Sequence, residues 1–134
     1  MGQQQLLLIV LGVIIVGIAI VVGINLFNAN AVSSNKDAIA SDLNNLGAMA
    51  RQYANKPTSM GGGATTSGPS FVSFAIPTGL TTTANATYTI SAAGTATGIS
   101  FLGTSLTQKG ANGSAVTLTD IVTLAKDSVV VTNP

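Results

Sequence analysis

Four aspartates, Asp37, Asp42, Asp120 and Asp127, and five cations, Lys36, Arg51, Lys56, Lys109 and Lys126, are the charged side chains of this 134-residue sequence, which contains no histidine and no cysteine. Glutamate is absent as well. Acid–base chemistry would therefore rest on aspartate, lysine or tyrosine, and the imidazoles and thiolates that hold zinc, haem or iron–sulfur clusters are missing. On a helix, Asp37 and Asp42 stand roughly 140° apart and do not converge on one substrate atom. All four aspartates read as solvated surface charge. Ser34 and Lys36 are the nearest approach to a nucleophile and its base, but they border a long apolar segment rather than an enclosed site. The stretch "GGGATTSG" at residues 61–68 looks like a phosphate-cradling loop, yet no Gly-Lys-Ser/Thr comes after it and no helix is expected there. A net charge of +1 without a basic cluster argues against nucleic acid. The expectation is a non-enzyme with no cofactor, no metal and no small-molecule ligand.

With so little chemistry to position, the elements themselves carry the information. From Leu6 to Ile24 no side chain can hydrogen-bond. As a helix this run spans roughly 28 Å, close to the hydrocarbon thickness of a bilayer, and in lipid a single span must be helical. It admits three readings. A cleaved secretory signal has small residues in place at Ala29-Asn30-Ala31, but the leading "MGQQQ" lacks Lys and Arg and the run exceeds the usual apolar length. A plain anchor is the second, with an orientation that charge does not reveal, because Lys36 and Asp37 cancel.

The third reading is a helix that continues well past the apolar run. Between Val32 and Tyr53 the apolar residues Ile39, Leu43, Leu46, Ala50 and Tyr53 recur in steps of 4, 3, 4 and 3, which is one stripe on a helix. Lys36, Asp37, Ser41, Asn44, Asn45 and Arg51 occupy its other side. No proline occurs before Pro57, so residues 1–55 read as one continuous helix, with Asn25, Asn28, Asn30, Ser33 and Ser34 marking its exit from a wholly apolar environment.

Residues 56–70 are rich in Gly, Ser, Thr and Pro and read as a surface loop. In residues 71–134 the periodicity becomes alternating, with candidate strands at 71–76, 86–91, 98–102, 116–124 and 128–132. The fold class expected is α+β: a long N-terminal helix packed through Ile39, Leu43, Leu46, Ala50 and Tyr53 on a small antiparallel sheet of four or five strands. Phe71, Phe74, Tyr88, Ile90, Ile99, Phe101, Leu118 and Val130 are the candidate core. Asn85-Ala86-Thr87 and Asn112-Gly113-Ser114 match the N-glycosylation pattern, although a Thr-rich strand surface produces such triplets readily. Four Phe and two Tyr are too sparse for an electron-transfer path and read as packing.

A short polar start, the apolar "LLLIVLGVIIVGIAIVV", an amphipathic continuation of the same helix and a small β-rich head resemble a type IV pilin. The resemblance covers the first 55 or so residues by pattern and the head only by size and class. It implies a structural subunit held in the cytoplasmic membrane and delivered by a pilus assembly machinery to an extracellular filament, a helical homopolymer whose core is this helix. The assembly residues would be Gln3, Gln4, Gln5, Leu6, Leu7, Leu11, Ile14, Ile18, Val21 and Ile24. An anchored monomer presenting its β domain as a binding or adhesion module is the alternative. Two features depart from the family. The glutamate that most pilins carry near the N-terminus is replaced by Gln5 if Met1 begins the mature chain, or by Leu7 if Gln3 does. Val21 and Val22 stand where many pilins have a helix-breaking proline. Gly12, Gly17 and Gly23 remain as sites of close helix packing or of unwinding between Gly17 and Gly23.

Overall fold

A computed structural model describes residues 2–110 and 112–133. Helix α1 runs from Gly2 to Asn55, and after it come strands β1 (Ala86–Ala92), β2 (Gly98–Lys109), β3 (Ala115–Thr123) and β4 (Asp127–Asn133), with short 3₁₀ turns at Thr58–Met60 and Thr78–Leu80. At 1.5 Å per residue the 54 residues of α1 extend about 80 Å. Helical geometry is uninterrupted through Gly17 and Gly23. The helix stops against Pro57, which disfavours helical backbone in the residue before it. Carbonyls left over at its end are satisfied by the adjoining loop: Gly63 N–H donates to Tyr53 O at 2.9 Å and Ser70 N–H to Ala54 O at 3.3 Å.

The four strands form an antiparallel meander in the order β1-β2-β3-β4. Period-2 alternation turns Ile99, Phe101, Gly103 and Ser105 of β2, and Val116, Leu118, Asp120 and Val122 of β3, toward the interior. Ile39, Leu43, Leu46, Ala50 and Ala54 of α1 are buried with Phe71, Tyr88, Ile99, Phe101, Val116, Leu118 and Val122 in one core. Burial of a side chain of Leu or Phe size contributes about 1.5–3 kcal/mol, so this helix–sheet contact carries the head. The result is an α+β fold, one long helix on a small antiparallel sheet.

Several expectations are corrected. Residues 71–76 are not a strand. Phe74 N–H bonds back to Phe71 O at 3.1 Å, and Ser73 has φ 66, so the chain turns there and brings both aromatic rings onto the helix. Phe71 is buried, and Phe74 stacks edge-on between Tyr53 and Phe101 at centroid distances of 5.4 and 5.8 Å. Strand β2 continues seven residues beyond Leu102, the end expected for it, because small Gly103 and Ser105 carry the inward positions of the alternation further. Val130 is 51 % exposed, whereas Val129 packs on the core; one step along a strand exchanges faces.

The aspartates do not share one environment. Asp120 is fully buried, since the alternation that turns Leu118 and Val122 inward turns it inward too. Asp42 is half-buried and only Asp37 is exposed on the helix. Arg51, assigned to the polar side of the helix, is half-buried, with its Nε and one Nη shielded from water.

Candidate assembly surface

Two regimes meet on α1. From Gly2 to Asn30 every residue is exposed, and the large apolar side chains between Leu6 and Phe27 are each 50–75 % exposed. Soluble monomers rarely leave more than a few hundred Å² of contiguous apolar surface uncovered. Covering this run is worth on the order of tens of kcal/mol at about 25 cal/mol per Å². The helix is long and apolar enough to cross a membrane, and is equally compatible with a filament core. From Val32 onward the helix is covered on one side by the head.

Gln3, Leu6, Leu7, Val10, Leu11 and Ile14 line one shallow apolar groove. At 100° per residue that face continues through Ile18 and Val21 to Asn25 and Asn28, and the same angular sector is taken up by Ile39, Leu43, Leu46 and Ala50. One stripe therefore runs along the whole helix, open in its first half and closed against the sheet in its second. Gln4, Gln5 and Ile24 are also exposed. A Cβ added at Gly12, Gly17 or Gly23 would meet nothing within 4 Å, so these glycines face outward and leave room for the close approach of another backbone.

Within the head-packing set, Ile39, Leu43, Leu46 and Ala50 are at most 1 % exposed, while Tyr53 is half-buried and its hydroxyl donates to Val72 O at 3.1 Å. Sequence reasoning misses the polar tie beside them. Tyr88 Oη donates to Asp42 Oδ2 at 2.6 Å, and Thr83 Oγ1 donates to the same oxygen at 3.3 Å. Burial, reinforced by that bond to a carboxylate, pushes the Tyr88 hydroxyl well above the ordinary tyrosine range. No local pattern links positions 42 and 88; the one available signal is that Asp42 flanks Leu43 at the border of the stripe. Gly103 escapes sequence reasoning as well. A Cβ there would stand 2.7 Å from Ile39 Cγ2 and 3.0 Å from Tyr88 Cε1, so its lack of side chain sets how closely the helix approaches the sheet.

The two sequons differ. Asn112 is exposed in the β2–β3 loop, with its Oδ1 accepting from Ser114 N–H at 3.0 Å. Asn85 is half-buried, and its carbonyl accepts from Asn35 Nδ2 and Leu106 N–H. An open cleft of about 330 Å³ lies between the end of the helix and the adjoining loop, lined by Tyr53, Thr58, Gly62, Gly63, Thr65, Ser70, Val72 and Ser73. It offers hydroxyls and backbone but no carboxylate, amine or imidazole.

Compared with protein-family profiles, curated proteins and solved structures, the chain finds no match in any of the three. Its architecture, a long N-terminal helix packed on a small antiparallel sheet, is pilin-like.

Proposed function

We propose that the chain is the structural subunit of an extracellular, type IV pilus-like filament. The observation that carries this reading is the unbroken passage of α1 from a wholly exposed apolar half to a half whose stripe is closed by the head. Before assembly the first half spans the cytoplasmic membrane. After extraction by an assembly machinery the same residues pack against those of other copies, with the heads outside. Because lipid already shelters the run, extraction is driven by differences in packing rather than by burial from water, and it needs an external source of work. Repetition of one heterologous contact then generates an open helical polymer. No enzymatic activity, cofactor or nucleic acid enters this reading.

Electron microscopy of material sheared from cells tests it. Uniform thin filaments containing this chain, with α1 intact by mass, are expected. Recovery solely as a monomer in membrane extracts would overturn the filament and favour an anchored binding module. Loss of the first 31 residues would defeat both membrane-held readings.

A further inference from the structure

One end of the head is tied to α1 close to its apolar half. The Asn85 carbonyl accepts from Asn35 Nδ2 at 3.4 Å and from Leu106 N–H at 3.3 Å. Asn35 lies one turn after Val32, the point at which the helix begins to pack on the head. Strand β2 runs toward the apolar half here, since Gly103 lies against Ile39 and Leu106, three residues later, shares its acceptor with Asn35. We propose that the β2–β3 hairpin rests on the surface of the bilayer that the apolar half spans, with Lys109 on the phosphate of an anionic phospholipid and Leu106 at the interface. This contact rests on the membrane-held state of the preceding reading and is independent of the filament.

Distance allows it. Headgroups add about 5–8 Å on each side of the hydrocarbon. From Ile24 to Asn35 the helix rises about 16 Å, which leaves roughly 8–11 Å between the headgroup surface and the level of Asn35. Thr104 pairs with Thr117 and Lys109 with Ala115, so Lys109 stands two β3 residues, about 7 Å, beyond Thr104. Its flexible four-carbon stem carries the ammonium further still.

Between those two pairs β2 takes five steps where β3 takes two. The excess bulges outward, as such insertions do when they re-aim side chains. Leu106 is 55 % exposed as a result, and Thr107 and Lys109 are exposed beside it.

Charge selects the partner. Lys56 comes just after the far end of α1, and Lys126 lies in the β3–β4 turn, which is next to the Gly98–Thr123 pair at the opposite end of the sheet. Near the membrane, helical side chains lean toward the helix N-terminus, so Lys36 and exposed Asp37 face the same way and offset each other. The sequence holds no acid between Asp42 and Asp120, which leaves Lys109 as the uncompensated cation of the hairpin. A cation beside an anionic leaflet is attracted within a Debye length, about 8 Å. No side-chain charge occurs before Lys36, so this contact fixes the depth and tilt of a span that has no ionic marker of its own.

Because the chain has no cysteine, single labels can be placed at will. Thr107→Cys and Ala125→Cys, both exposed and at opposite ends of the sheet, are labelled with a fluorophore in the full chain. The chain is reconstituted into vesicles of phosphatidylcholine with phosphatidylglycerol, or of phosphatidylcholine alone. A quencher carried on lipid headgroups should reduce emission at position 107 several-fold more than at 125 in the anionic vesicles. Lys109→Gln, or neutral vesicles, should remove most of that difference. Equal quenching at the two positions, or quenching at 107 that ignores both changes, would overturn the contact. If a variant fails to fold, hydrogen exchange of the unmodified chain decides: amides of residues 106–109 should exchange more slowly in anionic than in neutral vesicles, and equal rates would overturn the contact. A chain that alkali strips from the vesicles would overturn the membrane-held state itself.

Discussion

Tyr88 on β1 donates its hydroxyl to Asp42 on α1 at 2.6 Å, joining the two layers of the head across 46 positions of sequence. The ring of Tyr88 is 2 % exposed, so this hydroxyl has exchanged water for one carboxylate. A hydrogen bond to a charged partner contributes about 1.5–3 kcal/mol. Tyr88→Phe should therefore lower head stability toward the lower end of that range, because Asp42 retains Thr83 and part of its hydration. Urea unfolding should show an earlier midpoint with an unchanged slope. An unmoved midpoint would mean that the bond contributes nothing.

The same pair makes stability depend on alkaline pH. Burial and the neighbouring carboxylate raise the folded-state affinity of Tyr88 for its proton above that of the unfolded chain. The folded protein then binds more protons than the unfolded one above the ordinary tyrosine value of about 10, and linkage requires stability to fall as pH rises there. The contribution is fully present below pH ~10 and is lost progressively above it. Unfolding free energies measured from pH 8 to 12 should fall more steeply for the unmodified chain than for Tyr88→Phe; parallel curves would reject the linkage.

Two glycines should respond differently to alanine. At Gly103 the new Cβ meets Ile39 and Tyr88, and overpacking of this kind costs about 1–3 kcal/mol. At Gly17 it meets nothing, and helix propensity predicts a gain of about 0.5–1 kcal/mol for the isolated helix. Calorimetry in detergent would report a lowered head transition for Gly103→Ala and an unchanged one for Gly17→Ala. A tolerated Gly103→Ala would show that the helix can withdraw from the sheet at little cost.

Folding and assembly should separate along α1. Leu43→Ala removes a buried side chain and should destabilise the head by about 2–5 kcal/mol. Leu11→Glu should leave head unfolding unchanged, because Leu11 touches no part of the head, yet abolish filaments by placing a charge in a packed apolar core. If Leu11→Glu assembles as well as the unmodified chain, the core is not packed in the way proposed.

Of the two sequons, only the one in the exposed β2–β3 loop suits modification of the folded chain. Incubation with an oligosaccharyl transferase and a lipid-linked oligosaccharide should add glycan mass at Asn112 and none at Asn85, as read by peptide mass spectrometry. Modification at Asn85 instead would mean that the segment before β1 opens readily.

What is local in this chain is legible in its sequence. The step pattern of Ile39, Leu43, Leu46 and Ala50, the absence of proline before Pro57 and the unrelieved run Leu6–Ile24 specify a single helix with two surroundings, because a helical period depends only on neighbours three and four residues away. The inward position of Asp120 is equally present in the alternation Val116, Leu118, Asp120, Val122, but its charge argues for water and masks the pattern.

The remaining features needed the tertiary structure. The turn that makes Phe71 and Phe74 anchors rather than strand residues, the extension of β2 through Gly103 and Ser105, the choice of Val129 over Val130, and the meeting of Asp42 with Tyr88 all depend on how closely the helix lies on the sheet and in which register. Such relations join residues tens of positions apart. No local pattern carries them, since the energy that selects them is shared among side chains that only folding brings together.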